Sequence, residues 1–450
     1  MSENRDEKKD EERRERMTNT PVPRLITELA VPTIISMLVT AIYNSADKYF
    51  VGRISTEASA AVGIAFPMMA IVQALGFFYG HGSGNFLARM MGAGKHKEAS
   101  EMASTGFALA LLTGTAVALL GNGFIKPLAF LLGATPGSLQ DTMDYMRIIL
   151  IGAPFMAGQF VINNQLRFQG NAVVAMVGLM CGAVMNVGLD PLLILVFKMG
   201  VSGAAIATIA GQITSFCILL LGSMKKGSIR VNPRNVRING YYLLQIINGG
   251  SPSLFRQGLA AISSMLLNHA AGDLGGDAAI AAMSVATTVS MTLGSALIGF
   301  GQGYQPVCSY NYGAGLTGRV KEGYWFCVKW GTLFLTIVGT ACFIFAPQIV
   351  LFFRDDPAVA AVGQVALRCQ AVVMPLSAPI VMGNMMLQSI GKGVKASITA
   401  SARNGIFFIP LILVLPLFLG ITGVEITQAV ADVMTLSITL PLTFSELKKM

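Results

Sequence analysis

Long apolar stretches run through the chain from about residue 25 to its end, each separated from the next by glycine, proline or a cluster of charges. A helix needs about 20 consecutive apolar residues to cross the hydrocarbon core of a bilayer. By this criterion the pattern predicts twelve membrane-spanning helices. In the first half they cover residues 25–51, 58–84, 98–122, 139–165, 172–197 and 201–222. In the second half they cover residues 241–269, 278–304, 320–346, 359–385, 394–418 and 422–444.

The two halves of this pattern repeat each other. The second half carries the prolines and glycines of the first, displaced by roughly 220 positions, as in Pro32 and Pro252 or the glycine runs 80–84 and 299–303. Duplicated apolar units are typical of membrane transporters whose substrate site lies between the two repeats. The glycine runs predict close helix packing, because they lack the preceding strand and the lysine of a phosphate-binding loop.

An even number of spans places both repeats the same way up, related by an axis along the membrane normal. We therefore predict an all-α membrane protein whose twelve transmembrane helices form two six-helix lobes with pseudo-twofold symmetry. The N-lobe would cover residues 24–222 and the C-lobe residues 241–450, joined by a polar, basic cytoplasmic linker at 223–240. Residues 1–23 are rich in charge and lack apolar periodicity, so we expect a disordered cytoplasmic tail.

Composition and charge agree with a membrane location. Apolar residues make up 53% of the chain and charged residues 12%, against about 25% charged in soluble domains, and the mean hydropathy is +0.62. Lysine and arginine concentrate in one set of loops, and such loops stay in the cytoplasm. We expect a bacterial cytoplasmic (inner) membrane protein with both termini inside. The net charge of +9 then reflects topology and indicates no nucleic-acid partner.

Several classes of site are not supported by the sequence. The six cysteines and three histidines show neither metal-ligand spacing nor a nucleophilic constellation. We therefore expect no enzyme activity, no cofactor and no metal other than a coupling Na⁺. No nucleotide-binding motif is present, so ATP is not expected to drive transport. The expected partners are small molecules and membrane lipid, and the expected state is a monomer.

Two carboxylates fall well inside the first-half spans, at Asp47 and Asp190. With 1.5 Å of rise per residue, they lie about 8 Å and about 12 Å below the outer ends of their helices, and Thr208 lies about 10 Å below. Asn186 is one turn from Asp190 on the same face. An acid in hydrocarbon is a functional candidate by default. These oxygens suit a hard cation such as Na⁺, and two close acids also suit H⁺.

The same residues carry a resemblance to the multidrug and toxic compound extrusion (MATE) family, in its bacterial branch of DinF and MepA type. The likeness covers about residues 24–446. It implies a cation-coupling site at Asp47, Asn186, Asp190 and Thr208. It also implies supporting residues around that site in the N-lobe, namely Pro32, Asn44, Tyr145 and Asn163. Pro32 would kink the first span.

Purely structural roles remain open for these residues. Asn186 and Asp190 are also compatible with a structural polar cluster, and Asp47 with an ion pair to Lys48. The Thr208 hydroxyl is also compatible with a bond to its own backbone, and Pro32 with a plain kink.

The C-lobe departs from another branch of the family, which binds Na⁺ through acids on the seventh and tenth helices. The seventh span here has Arg256 and no acid before Asp273, and the tenth has no acid after Asp356. We therefore expect no required coupling carboxylate in the C-lobe. Glu425 and Asp432 in the last span are expected to be polar residues at its outer end.

A substrate chamber is expected where the lobes meet. Methionine and phenylalanine, 25 residues each, offer a soft wall for large lipophilic, mainly cationic compounds. The residues assigned to this chamber are Met37, Met68, Phe155, Met156, Arg256, Met291 and Met374. Arg256 opposes the cationic assignment, because it favours anionic or zwitterionic cargo, unless it pairs with a helix end.

Three functions follow in order of preference. The first is a multidrug antiporter driven by H⁺ or Na⁺ through alternating access. The second is a flippase for an amphipathic lipid-linked substrate, or an exporter of one specific metabolite. A channel or receptor is disfavoured, because the chain shows twofold repetition and no filter-like sequence.

Overall fold

A computed structural model of the protein describes the backbone of residues 3–51, 56–224 and 229–450 and the side chains of residues 10–40, 61–224 and 229–450. All regular secondary structure in these ranges is helical, which confirms the predicted all-α class. The first-half helices are α1 (Glu3–Asn19), α2 (Val22–Val51), α3 (Thr56–Gly92), α4 (His96–Gly123), α5 (Ile125–Leu131), α6 (Leu139–Phe168), α7 (Ala172–Pro191) and α8 (Gly200–Ser223). The second-half helices are α9 (Gly240–Gly313), α10 (Thr317–Ile344), α11 (Ala346–Phe353), α12 (Pro357–Val373), α13 (Ser377–Ser389), α14 (Gly393–Ser401), α15 (Phe408–Leu419) and α16 (Ile421–Leu447).

Eleven helical stretches in the described ranges are long and apolar enough to cross a membrane, and α9 contains two crossings. Its 74 residues would make a rod of about 110 Å, more than three times the thickness of a hydrocarbon core. Gly276 interrupts the helix with φ 61° and ψ −156°, a conformation that suits only glycine. Counted this way, the described chain has the twelve predicted crossings.

Three of the predicted spans are helices with an irregular turn inside. A wide π-turn (Leu192–Val196) follows α7, and a second (Ala402–Ile406) joins α14 to α15. A 3₁₀ turn (Met374–Leu376) joins α12 to α13. Proline explains the first and the last of these, since Pro191 and Pro375 cannot donate a backbone hydrogen bond. The short helices α5 and α11, which follow the third and ninth spans, were not predicted from the sequence.

The N-terminal segment differs from the expected disordered tail, because residues 3–19 form the helix α1. Its end is docked: Met17 is buried, and its carbonyl oxygen accepts a hydrogen bond from Asn311 Nδ2 at 3.1 Å. The carbonyl of Thr20 accepts one from Arg319 at 2.6 Å. One buried methionine makes no apolar periodicity, so the sequence pattern could not reveal this docking.

Both termini and the linker lie on one side of the helical bundle. At the start of α10, Thr317 Oγ1 donates to the carbonyl of Met450 at 2.9 Å. At the start of α4, His96 faces Asp10 at 3.7 Å, and Ser100 Oγ accepts from Asn235 Nδ2 at 2.8 Å. We term this side, made up of α1, residues 229–239 and residues 448–450, the terminal face.

The two halves of the chain meet closely in the part of the bundle next to the terminal face. Within the described ranges, backbones touch where α3 crosses α9, and a Cβ added at Gly82, Gly92 or Gly313 would overlap backbone atoms of the other half. A Cβ at Gly303 would overlap Ala30 of α2. The glycine runs thus serve helix packing, as predicted.

Candidate cation site and the contact between the halves

Asn186, Asp190 and Thr208 come together in the first half, between α7 and α8. All three side chains are buried, with exposed fractions of 1%, 0% and 1%. Asn186 Nδ2 donates to Thr208 Oγ1 at 3.4 Å. The two helices approach at Gly182 and Gly211, where a Cβ on either residue would overlap the opposite backbone. Small residues at this crossing therefore allow the polar side chains to meet across the helices.

The cluster contains several oxygen atoms with lone pairs. Thr208 Oγ1 donates its own proton to the carbonyl of Ala204 at 3.0 Å, the backbone bond that the sequence left open as an alternative. Of its two lone pairs, one accepts from Asn186 and the other remains for a further partner. Asn186 Oδ1 is buried and, among the described atoms, has no hydrogen-bond donor. The Asp190 carboxylate lies one turn further along the same helix. A carboxylate, an amide oxygen and a hydroxyl oxygen form a donor set that fits Na⁺, and a buried carboxylate can also bind H⁺.

The turn after Asp190 departs from regular helix. Pro191 follows immediately, and the π-turn Leu192–Val196 ends with Phe197 N–H bonded to the Leu192 carbonyl at 2.9 Å. Wide turns of this kind occur frequently at functional sites, because they redirect side chains and backbone carbonyls. The carboxylate is therefore next to the irregular part of its span.

Asn44 and Asp47 lie outside the residues whose side chains the structure describes. The backbone of α2 that carries them belongs to a helix that packs along α7. The assignment of Asp47 to the cation site thus stays a prediction.

The other expected supporting residues have different surroundings. Tyr145 is buried in α6, and its hydroxyl lies 3.9 Å from the sulfur of Met69. Asn163 donates to the carbonyl of Ala175 at 2.9 Å, eleven residues and about 16 Å along α7 from Asn186. Asn384 makes the equivalent bond in the second half, to the carbonyl of Ala396. The structure therefore does not bring Asn163 to the cluster and instead shows it joining two helices, as its counterpart does.

Pro32 lies inside α2 and is buried. Its carbonyl oxygen accepts a hydrogen bond from Ser36 Oγ at 2.9 Å. The helix continues through the proline, so Pro32 interrupts the backbone hydrogen bonding without ending the span.

Most of the expected chamber residues are dispersed. Met68, Met156 and Met374 are buried in three different apolar cores, where methionine commonly fills gaps. Phe155 packs edge-on against Phe216 within the first half, with ring centroids 5.5 Å apart. Met291 is 57% exposed. The structure does not gather these residues into one wall, because methionine content carries no information on which face a residue takes.

Met37, the remaining chamber methionine, is half-buried on α2. It lies one helical turn beyond Pro32 toward the outer end of the span. No described contact joins it to the other expected chamber residues.

A polar layer that the sequence did not reveal lies where the halves touch. Arg167, which falls between the predicted spans 139–165 and 172–197, is 2% exposed and donates to Gln302 of the other half and to Asn164. Its Nε is buried without a partner among the described atoms. The polar residues 163–165 at the end of the predicted span 139–165, followed closely by Arg167, were the available signal.

Arg256 approaches the same layer from α9. It is half-buried and donates to Asn384 Oδ1 at 3.3 Å and to Ser253 Oγ at 3.5 Å. Within the described side chains, neither Arg167 nor Arg256 forms an ion pair. The contact between the halves thus holds two arginines whose charge no described carboxylate neutralises.

In the second half, the expectation for Asp432 was wrong. It is not a polar residue at a helix end: it is buried, and both its oxygens accept hydrogen bonds from Arg403, at 2.8 and 2.9 Å. Glu425 is also buried. The sequence could not reveal this ion pair, because Arg403 lies 29 residues before Asp432, in the π-turn between α14 and α15.

Known proteins resemble the chain over most of its length. The MatE family model matches residues 32–192 and 252–414, one segment in each half. The multidrug export protein MepA of Staphylococcus aureus (strain NCTC 8325 / PS 47) is 25% identical over 415 residues, covering 92% of this chain and 91% of that protein.

Solved structures agree with the family match. A multidrug resistance MATE family transporter of the MOP superfamily, solved in an outward-facing conformation, superposes with a TM-score of 0.89 at 26% identity, covering 96% of this chain and 98% of that one. A MOP superfamily transporter from Pyrococcus furiosus Vc1, described as having a binding pocket of reverse polarity, gives 0.90 at 25% identity, covering 97% and 98%.

Proposed function

The chain belongs to the MatE family of integral membrane transporters, and we propose that it is a multidrug antiporter that couples entry of Na⁺ or H⁺ to export of lipophilic, mainly cationic compounds. The observation that carries this proposal is the buried oxygen cluster of Asn186, Asp190 and Thr208. It has an acceptor oxygen without a donor among the described atoms, at Asn186 Oδ1. Asp47, on the adjacent helix, completes the proposed coupling site.

Coupling requires that the ion bind one conformation better than the other, because otherwise it cannot bias the exchange between them. The described contacts between the halves lie next to the terminal face. These contacts support a state that is closed at the terminal face. The likeness to an outward-facing transporter supports that assignment, with the terminal face in the cytoplasm of a bacterium. Binding of the ion between α7 and α8 would then change how α2 packs along them.

The substrate class is proposed from two sources. A relative that covers 92% of this chain is named a multidrug export protein, and an acidic site in the first half favours cations or lets them compete with the coupling ion. The proposed transporter is a monomer and uses neither ATP nor a cofactor.

Purified protein in proteoliposomes tests the proposal. Efflux of a lipophilic cation such as ethidium is measured under an imposed Na⁺ gradient and, separately, under a pH gradient. We expect one gradient to drive efflux of several unrelated cations. Efflux of a single chemical, or no response to either gradient, would contradict the proposal.

A second candidate is favoured by one observation: among the described side chains, neither Arg167 nor Arg256 in the contact between the halves forms an ion pair. Two guanidinium groups favour cargo with a carboxylate or phosphate, such as a lipid-linked substrate moved by a flippase or one anionic metabolite. The related structure described as having reverse pocket polarity supports considering this alternative. Under it, Arg256→Gln abolishes transport of anionic cargo and leaves ethidium efflux unchanged. Under the antiporter proposal, the same change leaves export intact.

A further inference from the structure

A groove of about 980 Å³ runs along the flank of the bundle where the first half meets the second. Its walls come from α2, α9 and α10 and from Val173 at the start of α7, and it begins beside α1 at the terminal face. Asn186, Asp190 and Thr208 of the proposed cation site do not line it.

The rim of the groove carries charge. Glu28 accepts hydrogen bonds from Arg24 at 2.9 Å and from Arg16 at 3.2 Å. Two arginines and one glutamate leave one net positive charge at the rim. Each guanidinium has five N–H donors, and most of these remain available for a further acceptor.

The wall below the rim is apolar and aromatic. Phe300, Phe326 and Trp330 form a connected series, with ring centroids 6.1 and 6.4 Å apart. Pro32 of α2 faces them across the groove. Counted along their helices, Pro32 and Phe326 lie about 14 Å below the terminal face, and Trp330 about 20 Å below it. One leaflet contributes about 15 Å of hydrocarbon, so the wall spans the depth of an acyl chain.

Exposure of the wall indicates contact with lipid. The Trp330 side chain is 51% exposed, although it lies at hydrocarbon depth and away from the aromatic belts at the membrane surface. A water-soluble ligand would leave this wall uncovered. A molecule with a charged head and a long apolar chain would cover both parts.

We propose that this groove is a binding site for one anionic phospholipid of the leaflet at the terminal face. Its phosphate lies between Arg16 and Arg24, in charge-assisted hydrogen bonds, and an acyl chain lies against Pro32, Phe326 and Trp330. The positive rim selects an anionic headgroup, because basic residues at the membrane surface attract anionic lipids. The inference does not rest on the proposed function, since it concerns binding and not transport.

The chain offers a matched pair of reporters, because it has two tryptophans, both on α10. Trp330 lines the groove, whereas Trp325 is 50% exposed on another face, beside Phe444. Trp325→Phe leaves only the groove reporter, and Trp330→Phe leaves only the control. Each variant is reconstituted into phosphatidylcholine vesicles with a small fraction of brominated phosphatidylglycerol or brominated phosphatidylcholine, and fluorescence quenching is measured.

For each tryptophan, the quenching by brominated phosphatidylglycerol is divided by the quenching by brominated phosphatidylcholine. This ratio removes the effect of tryptophan depth, because depth changes both values alike. We expect a ratio of about five for Trp330, because one net positive charge at the membrane surface attracts an anionic lipid by about 1 kcal/mol, and a ratio of one for Trp325. Arg16→Gln with Arg24→Gln should return the Trp330 ratio to unity, whereas Arg24→Lys should preserve part of it.

Equal ratios for the two tryptophans would overturn the proposal, as would a Trp330 preference that survives in the double glutamine variant. Inorganic phosphate separates a lipid site from a phosphate site: if it abolishes the preference at millimolar concentration, the rim binds free phosphate and the lipid assignment is wrong. The measurement uses no ion gradient, so a failure of the antiporter proposal leaves its result unchanged.

Discussion

Arg403 and Asp432 form a bidentate ion pair, with N–O distances of 2.8 and 2.9 Å, between the two second-half spans that correspond to α7 and α8; the carboxylate is buried and the arginine side chain is about one third exposed. In the first half, Gly182 and Gly211 lie at that helix crossing instead. The repeats thus share a fold and differ in chemistry. Arg403 neutralises Asp432 in the second half. In the first half, the polar cluster of Asn186, Asp190 and Thr208 lies between α7 and α8.

Asp190→Asn should abolish gradient-driven export while the protein remains in the membrane. The substitution keeps the shape of the side chain and removes the charge that binds a cation. Efflux from proteoliposomes under the driving gradient is the measurement, with membrane insertion and thermal stability as controls. Near-normal efflux would reject the cation-site assignment, and Asp47→Asn should behave in the same way.

Asp432→Asn should retain coupled transport but lose stability. The substitution leaves the Arg403 charge without its partner, and because that side chain is 35% exposed, the cost lies between those of exposed and buried pairs, at about 1–2 kcal/mol. Arg403→Gln combined with Asp432→Asn should regain part of that loss. Thermal unfolding in detergent measures the stability.

Coupled efflux is measured in parallel, and Glu425→Gln serves as a second neutralisation in the same span. Complete loss of coupling in a well-folded Asp432→Asn or Glu425→Gln protein would reveal a second ion site in the second half.

Gly92→Ala should open the contact between the halves. A methyl group there would overlap the backbone of Tyr310, so the state closed at the terminal face is penalised by an overpacking cost of about 1–3 kcal/mol. Cys308, buried beside this contact, is the natural reporter in a variant without the other cysteines. Its labelling by a maleimide should accelerate.

Gly63→Ala is the matched control, because it lies in the same helix with open space around its Cβ position. If both alanine variants label Cys308 at the wild-type rate, the glycine contact does not determine closure at the terminal face.

The terminal face should be cytoplasmic. A cysteine introduced at Asn235, in the linker, should resist a membrane-impermeant reagent in intact cells, because basic loops stay inside. A cysteine at Gly137, exposed before α6 on the opposite side, should label readily. The reverse pattern would invert the orientation.

The sequence by itself determined the twelve crossings, the repeat and the helical class. A helix in hydrocarbon satisfies its backbone within the span, so about 20 apolar residues suffice to specify it whatever its neighbours are. For the same reason, Asn186 and Asp190, one turn apart in a single helix, were recognisable as a pair from their spacing alone.

Only the tertiary structure decided which side chains meet across helices. Thr208 donates to its own backbone and also accepts from Asn186, and Asn163 binds α7 far from the cation site; neither fact is contained in one helix. Arg167 falls between two predicted spans and Asp432 was expected at a helix end, yet the structure buries them against Gln302 and Arg403. Lipid faces and helix contacts are equally apolar in a membrane protein. Hydrophobicity therefore predicts where a span lies along the chain, and the packing of its neighbours decides which way each side chain faces.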